Sequence, residues 1–189
     1  MKNLKTIAIA LLVAFGTNAV TAQNKKINLE KSNINWVGEK VTGKHSGTIN
    51  FKDGVLVFQK NKLAGGIFTV NMASITVTDL EPGKGKENLE GHLKADDFFG
   101  TEKFETAKIE FKTITTKSKE LYTVTADLTI KGITKPVTFD MAVNGNKAST
   151  TFKVDRTKYD IKYGSKSFFE SIGDKAIYDE FELAIALQF

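Results

Sequence analysis

Few side chains in this sequence could do chemistry. There is no cysteine, and there are two histidines, His45 and His92, and a single arginine, Arg156, among 27 basic residues. Two imidazoles with no thiolate are a poor basis for a zinc or copper site, which usually takes three or four nitrogen or sulfur ligands. No metal is expected, and each histidine reads as a rim or helix-packing residue. Asp96 and Asp97 are paired carboxylates by position only, because adjacent residues on a helix do not face each other. They read as solvated or capping acids. No nucleophile elbow, phosphate loop or dinucleotide fingerprint is present. The chain is therefore expected to be no enzyme and to carry no cofactor. Arg156 is the exception to a quiet inventory. It shares the inward parity of Phe152 and Val154, and a buried guanidinium needs a carboxylate or a ligand headgroup. Asp179, an inward acid in an otherwise apolar row, is the candidate carboxylate. The abundant resource is apolar: 14 phenylalanines. The chemistry they offer is removal of a greasy surface from water.

Those side chains have to be positioned by strands. From Tyr122 to Ile130, and again from Val137 to Val143 and Ala148 to Val154, apolar and polar residues alternate with period two, the mark of a half-buried strand. Lys131-Gly132 and Asn144-Gly145 fall between these runs as two-residue turns. Pairing Ile130 with Ile133 and Val143 with Asn146 keeps every apolar residue on one face. Lys135 is the misfit there, and Pro136 beside it is expected to shift the pleat. Upstream, Ile34 to Gly38 and His45 to Phe51 alternate in the same way. Asp53-Gly54 reads as a further hairpin turn that brings Leu56 and Phe58 inward. A long strand from Leu63 to Val77 follows, with a bulge or bend at Gly65-Gly66. Ala107 to Phe111 and Ile177 to Phe189 complete the set. Between Thr78 and Thr106 the alternation stops. Helical spacing at Leu89, His92 and Leu93 predicts a short helical insertion over about 84–99, ending in a turn closed by Gly100. Ser167 and Glu170 have capping-box spacing and predict a second short helix over 167–172.

The first 22 residues read as a signal peptide: a positive start at Lys2 and Lys5, an apolar run from Ile7 to Phe15, and small residues before Gln23. The apolar run is too short to span a bilayer. The domain then covers 23–189, and the expected location is periplasmic or secreted. The formal charge of +5 includes the signal's two lysines, so the mature chain carries +3. Its lysines are scattered over outward strand positions, which gives no nucleic-acid footprint. Without disulfides the fold rests on its core, and a chain this long can build one.

About eight long antiparallel strands, each apolar on one face, would leave a single sheet with two open edges and a bare face. Closure into an eight-stranded barrel removes both, with a two-sheet sandwich as the alternative. Inward parity gathers Trp36, Ile49, Phe51, Phe68, Val70, Met72, Ile109, Phe111, Val124, Phe139, Met141, Phe152, Arg156 and Phe181 as candidate ligand-binding residues. Gly38, Gly47, Ala107, Ala126 and Ala148 share that parity and are small. Large and small residues together suit a tunnel for a slim apolar ligand, and equally a solid interdigitated core. Phe98, Phe99, Phe168 and Phe169 lie in the irregular segments, where they could lid a barrel mouth or simply pack short helices on the sheet.

Four stretches carry a family resemblance: Gly43 to Phe51, Gly66 to Ile75, Gly91 to Phe99 and Lys131 to Val137. In their order and spacing the chain resembles the YceI-like family of secreted, lipocalin-like polyisoprenoid-binding proteins over nearly all of 23–189. The resemblance implies an all-β, eight-stranded antiparallel lipocalin-like barrel. It further implies a long-chain isoprenoid or fatty-acyl lipid in the lumen, carried or sequestered, with transient membrane contact and a homodimer compatible with it. The family tends to show Arg, an aromatic and then Gly near the C-terminal end. Arg156 and Tyr159 match, while Asp160 stands where Gly is usual.

Overall fold

The computed structural model describes residues 22–169 and 173–189. The expected signal peptide falls almost wholly on residues 1–21, outside that range. Nine antiparallel strands form one sheet: β1 Gln23–Lys26, β2 Asn33–Lys40, β3 Gly43–Gln59, β4 Lys62–Val77, β5 Thr106–Thr116, β6 Leu121–Ile130, β7 Ile133–Asn144, β8 Lys147–Asp155 and β9 Ile177–Gln188. From β2 to β9 each strand pairs with the next, and β9 returns to β2 through Ile34↔Ile185 and Trp36↔Leu183. The sheet thus closes on itself as an eight-stranded barrel, in which each of β2 to β9 has a neighbour on both sides. β1 takes no place of its own in the ring. It pairs with Val55–Phe58 of β3, beyond the stretch of β3 that β2 occupies.

The alternation that predicts β6 and β8 is the alternation observed. Tyr122, Val124, Ala126, Leu128 and Ile130 of β6 are buried, as are Ala148, Thr150, Phe152 and Val154 of β8. The β6–β7 hairpin turns at Lys131-Gly132, both left-handed, and pairs Ile130 with Ile133 as expected. Its register runs unbroken to Leu121↔Ala142. Pro136 therefore does not shift the pleat, and Lys135 remains in register but exposed.

Four local expectations need correction. Asp53-Gly54 is not a hairpin: β3 runs straight through it for 17 residues, with a bulge at Lys52. Gly54 serves close approach instead. A Cβ there would lie 2.5 Å from the Phe68 ring and 2.8 Å from Ile27. The β7–β8 turn is centred one residue later than expected, on Gly145-Asn146, because Asn144 pairs with Lys147. Only Gly145 has positive φ, as a II′-type turn requires. The slip moves both partners by one residue each, so the inward face survives. The helix expected over 167–172 is absent from its described part. Residues 166–168 are a turn in which Phe168 and Phe169 donate backbone N–H groups to the Ser165 carbonyl, and 170–172 lie outside the described residues. The bulge expected at Gly65-Gly66 falls one residue earlier, at Ala64, and both glycines stay in register opposite Val57 and Leu56.

The 78–105 connection contains α1, Lys86–Lys94, and a turn over 96–99 closed by Gly100 at φ 57°. Glu90 fastens α1 to the end of β4, accepting hydrogen bonds from Thr76 Oγ1 at 2.5 Å and the Val77 N–H at 2.8 Å. Those two bonds hold its carboxyl below the usual range. This segment lies across one end of the barrel.

Candidate functional site

Five phenylalanine rings, one each from β3, β4, β5, β7 and β8, form a continuous row inside the barrel. Successive centroids are 5.9 Å apart for Phe51–Phe68, 5.7 Å for Phe68–Phe111 and 5.9 Å for Phe111–Phe139. Phe139 stacks on Phe152 at 4.6 Å. Two small residues make the row possible. Gly66 leaves room for the Phe111 ring, which would sit 2.7 Å from a Cβ there. Ala126 of β6, between β5 and β7, is small enough to let Phe111 reach Phe139. Toward the β3–β4 and β7–β8 turns the interior is filled by side chains such as Leu56, Val124, Met141 and Leu187, all buried. Phe58 and Phe189 close that end at 5.5 Å, with the Lys25 ammonium over both rings.

Toward α1 the interior is hollow. A cavity of ≈ 140 Å³ is walled by Trp36 and Gly38 of β2, Ile49 and Phe51 of β3, Val70, Met72 and Ile75 of β4, Ala107 and Ile109 of β5, Leu128 and Ile130 of β6, and Phe181, Leu183 and Ile185 of β9. Leu93, Phe98 and Phe99 roof it. Phe99 meets Phe98 at 5.1 Å and Phe181 at 6.3 Å, both edge to face. The hollow explains an anomaly of β9, the most regular alternation in the sequence. Phe181, Leu183 and Ile185 point inward yet are only half-buried, as are Val70 and Ile109. These side chains face a void where a packed core would have covered them. Gly38 opens onto the same void, with nothing within 4 Å of a Cβ built on it. Gly47 does not, because Trp36 already lies 2.5 Å from its Cβ position.

Of the fourteen residues singled out by parity, Trp36, Ile49, Phe51, Val70, Met72, Ile109, Phe152, Arg156 and Phe181 line this cavity. Phe68, Phe111, Val124, Phe139 and Met141 do not. They belong to the ring row or to the filled half beneath it. Parity tells which side of the wall a residue faces and nothing of its height along the barrel. Parity also offers Leu183 and Ile185, in the same row as Phe181, as cavity residues. Phe98 and Phe99 do cover the mouth, whereas Phe168 and Phe169 are 49% and 51% exposed and do not line the cavity.

Arg156 opens a 3₁₀ turn, Arg156–Tyr159, at the mouth. It is 2% exposed and spends its donors on the chain: Nε on the Tyr178 carbonyl at 3.1 Å, Nη1 on Ile161 at 2.8 Å and Nη2 on Ile177 at 3.0 Å. Asp179 is its counter-ion at 3.7 Å, and Asp179 in turn accepts from Ser167 Oγ at 2.5 Å. Burial pushes the guanidinium's pKa down, and Asp179 and Asp155 oppose that shift. The inward misfit of the last strand is thus the partner of the inward arginine. His45 Nδ1 sits 2.9 Å from Asp79 at the rim, and His92 packs against Tyr163 and Phe98 at 4.3 and 5.5 Å. Asp96 pairs with Lys103 in solvent at 2.5 Å.

The same turn supports two tests. Asp160 closes it at φ 60°, ψ 29°, the left-handed conformation that glycine adopts without a steric penalty. Asp160→Gly is expected to raise stability by roughly 0.5 kcal/mol, read as a higher thermal midpoint, because the lost pair with Lys162 is exposed and weak. Tyr159 is 1% exposed, and burial pushes its hydroxyl up to about 12. A raised folded pKa keeps its stabilisation intact below the unfolded value near 10 and loses it as pH climbs toward 12. The expected loss across that window is about 2–3 kcal/mol, followed by urea midpoints from pH 9 to pH 12 on wild type and Tyr159→Phe. An equal decline in both would refute it.

A model described as the YceI-like domain matches residues 26–189. A UPF0312 protein of Staphylococcus aureus is 38% identical over 78 residues, which is 41% of this chain and 43% of that relative. A second from the same species is 36% identical over 107 residues, covering 51% of this chain and 60% of the relative. The chain thus spans about half the length of the curated relatives it matches. Among solved structures, Burkholderia cenocepacia BcnA superposes with a TM-score of 0.67 at 21% identity, over 85% of this chain and 98% of that one. A polyisoprenoid-binding domain from Saccharophagus degradans, implicated in plant cell wall breakdown, gives 0.57 at 13% identity, over 89% and 97%. At those identities the likeness is one of fold. The match along nearly the whole barrel carries more, and the chain belongs to the YceI-like family.

Proposed function

We propose that the chain binds a long amphiphilic lipid, of polyisoprenoid, isoprenoid-quinone or fatty-acyl type, with its apolar end in the cavity between the phenylalanine row and the Phe98–Phe99 roof. The observation that carries this reading is the hollow itself. A barrel that could have filled its interior leaves inward apolar side chains of β4, β5 and β9 uncovered. The cavity, at ≈ 140 Å³, is about the size of an apolar void that takes one benzene ring. It therefore accepts the tip of a chain, and the rest occupies space vacated when Phe98 and Phe99 swing away with the 95–105 segment. Each buried methylene contributes about 0.8 kcal/mol, so some ten methylenes supply on the order of 8 kcal/mol before ordering costs. No headgroup contact is needed for that, and three of the five Arg156 N–H groups are engaged by backbone carbonyls. We assign the cavity no chemical step. The protein acts by shielding the chain from water, as a carrier or sequestering protein in the periplasm or outside the cell, after cleavage near Ala22.

The small volume favours a second reading, in which the barrel is essentially filled and serves as a structural or interaction domain. Organic extraction of the purified chain, followed by mass spectrometry, separates the two. A co-extracted prenyl or long-acyl lipid at near-stoichiometric yield is expected. Its absence, together with no uptake of added polyprenol or fatty acid, would overturn the lipid reading in favour of the filled barrel. Chemical conversion of a bound isoprenoid on incubation would replace carriage by catalysis.

A further inference from the structure

One polar pair stands on the inner wall at the level of the mouth. His45 of β3 lies opposite Gly38 of β2, and Gly38 lies opposite Phe181 of β9. Residues directly opposite in antiparallel strands share a face, so these three form one level of the inner wall. Gly38 and Phe181 line the cavity, and so does Ile177, which pairs with Lys40 nearer the rim. His45 also continues the inward row of Gly47, Ile49 and Phe51, so it stands where the cavity opens. Asp79, just past β4, holds its ring. Asp79 Oδ1 accepts the Ser46 N–H at 2.9 Å, and Oδ2 lies 2.9 Å from His45 Nδ1. Burial pushes the Asp79 carboxyl up, but these hydrogen bonds outweigh it and hold the group below the usual range. A carboxylate only accepts, so the imidazole donates from Nδ1, and a neutral ring that does so carries its lone pair on Nε2. The His45 side chain is 29% exposed, and Nε2 has no partner among the described residues. A clasp between β3 and β4 needs only Nδ1. Nε2 is left as an oriented acceptor beside an apolar void.

We propose that His45 is the polar end of the lipid site, its Nε2 accepting a hydrogen bond from a hydroxyl that ends the ligand's apolar chain, with Asp79 as the positioning residue. This rests on the lipid reading above and narrows it to long-chain alcohols. A hydrocarbon, ether or ester end offers Nε2 no donor. A phosphate or carboxylate would set an anion against the Nε2 lone pair and the Asp79 charge. The length of the wall bounds the chain. His45 stands six residues from Phe51 along β3. At about 3.3 Å per residue and a strand tilt of about 40°, that is roughly 15 Å along the barrel axis. An extended chain advances about 1.2 Å per bond, so some twelve carbons reach from the phenylalanine row to His45 once the roof is displaced.

Farnesol and dodecanol, each compared with its own methyl ether, test this at about pH 8, where an ordinary imidazole is neutral. Trp36 is the chain's one tryptophan and lines the cavity, so its emission reports occupancy in the purified chain. Wild type is expected to bind an alcohol about three- to tenfold tighter than its ether, the reach of one net hydrogen bond. His45→Phe should bind alcohol and ether alike. Nitrogen NMR of the wild type, which does not depend on that variant folding, should find His45 as the Nδ1–H tautomer. Its Nε2 resonance should shift on addition of alcohol and stay in place on addition of ether. A preference shown by farnesol alone would make the ligand an isoprenoid alcohol, and one shown by dodecanol alone a linear one. Equal affinity for alcohol and ether, a preference that survives His45→Phe, or an Nε2–H tautomer would each overturn the proposal. Ethers that still bind in those cases leave the cavity reading standing, whereas unchanged emission with all four ligands sinks both.

Discussion

Replacing Arg156 by leucine is expected to cost the barrel about 3–5 kcal/mol, a large share of a domain's total stability. The guanidinium sits at 2% exposure and satisfies three carbonyl groups, those of Ile161, Ile177 and Tyr178. Leucine removes all three donors at once and leaves Asp179 facing a hydrocarbon. Each buried carbonyl left unpartnered costs about 1–3 kcal/mol, and a carboxylate without its counter-ion costs more. Arg156→Lys should recover only part of the loss, because one ammonium cannot reproduce a planar fork that meets acceptors on two segments. Urea midpoints measure both variants. The same substitution tests the headgroup role. Variant protein that is still folded should bind an apolar ligand within about threefold of wild type. A loss of tenfold or more at the same folded fraction would move the lipid headgroup onto Arg156 and overturn its reading as a structural residue.

Gly38→Leu is expected to have the opposite effect on stability and a larger one on binding. The Cβ position at Gly38 meets nothing within 4 Å and lines the cavity. A leucine there buries four carbons in a void that holds about six. Stability should rise by roughly 1–2 kcal/mol, from burial and from removing a strand glycine, while uptake of a long-chain lipid falls at least about tenfold. Gly47→Leu is the control, on the same inward parity and directly across from Trp36. Its Cβ would fall on the Thr76 carbonyl oxygen and the Trp36 indole, so that variant should lose roughly 3 kcal/mol or fail to fold. Thermal midpoints and co-extracted lipid, measured together, decide the matter. A Gly38→Leu protein that carries as much lipid as wild type would remove the cavity from the mechanism.

These two glycines mark where reading the sequence stops. Both are small, inward and on the barrel wall, and alternation treats them alike. Gly47 is spent on the protein's own tryptophan, and Gly38 is left open. The same limit applies to the phenylalanines. Phe51 and Phe68 share a face and stand 5.9 Å apart in one row of rings, yet Phe51 lines the cavity and Phe68 does not. Asp53-Gly54 misleads for a related reason. Its turn chemistry is genuine, but Phe68 and Ile27, distant in sequence, need the glycine for contact.

The sequence by itself determined the eight barrel strands, their inward faces, the Lys131-Gly132 turn and the pairing of an inward arginine with an inward acid. Period-two alternation and turn residues are local properties, and closure follows from them once edges must be covered. Only the tertiary structure decided that the barrel is filled at one end and hollow at the other. That division depends on the height at which each ring meets its neighbours across the barrel, and side-chain volumes from five separate strands settle it together.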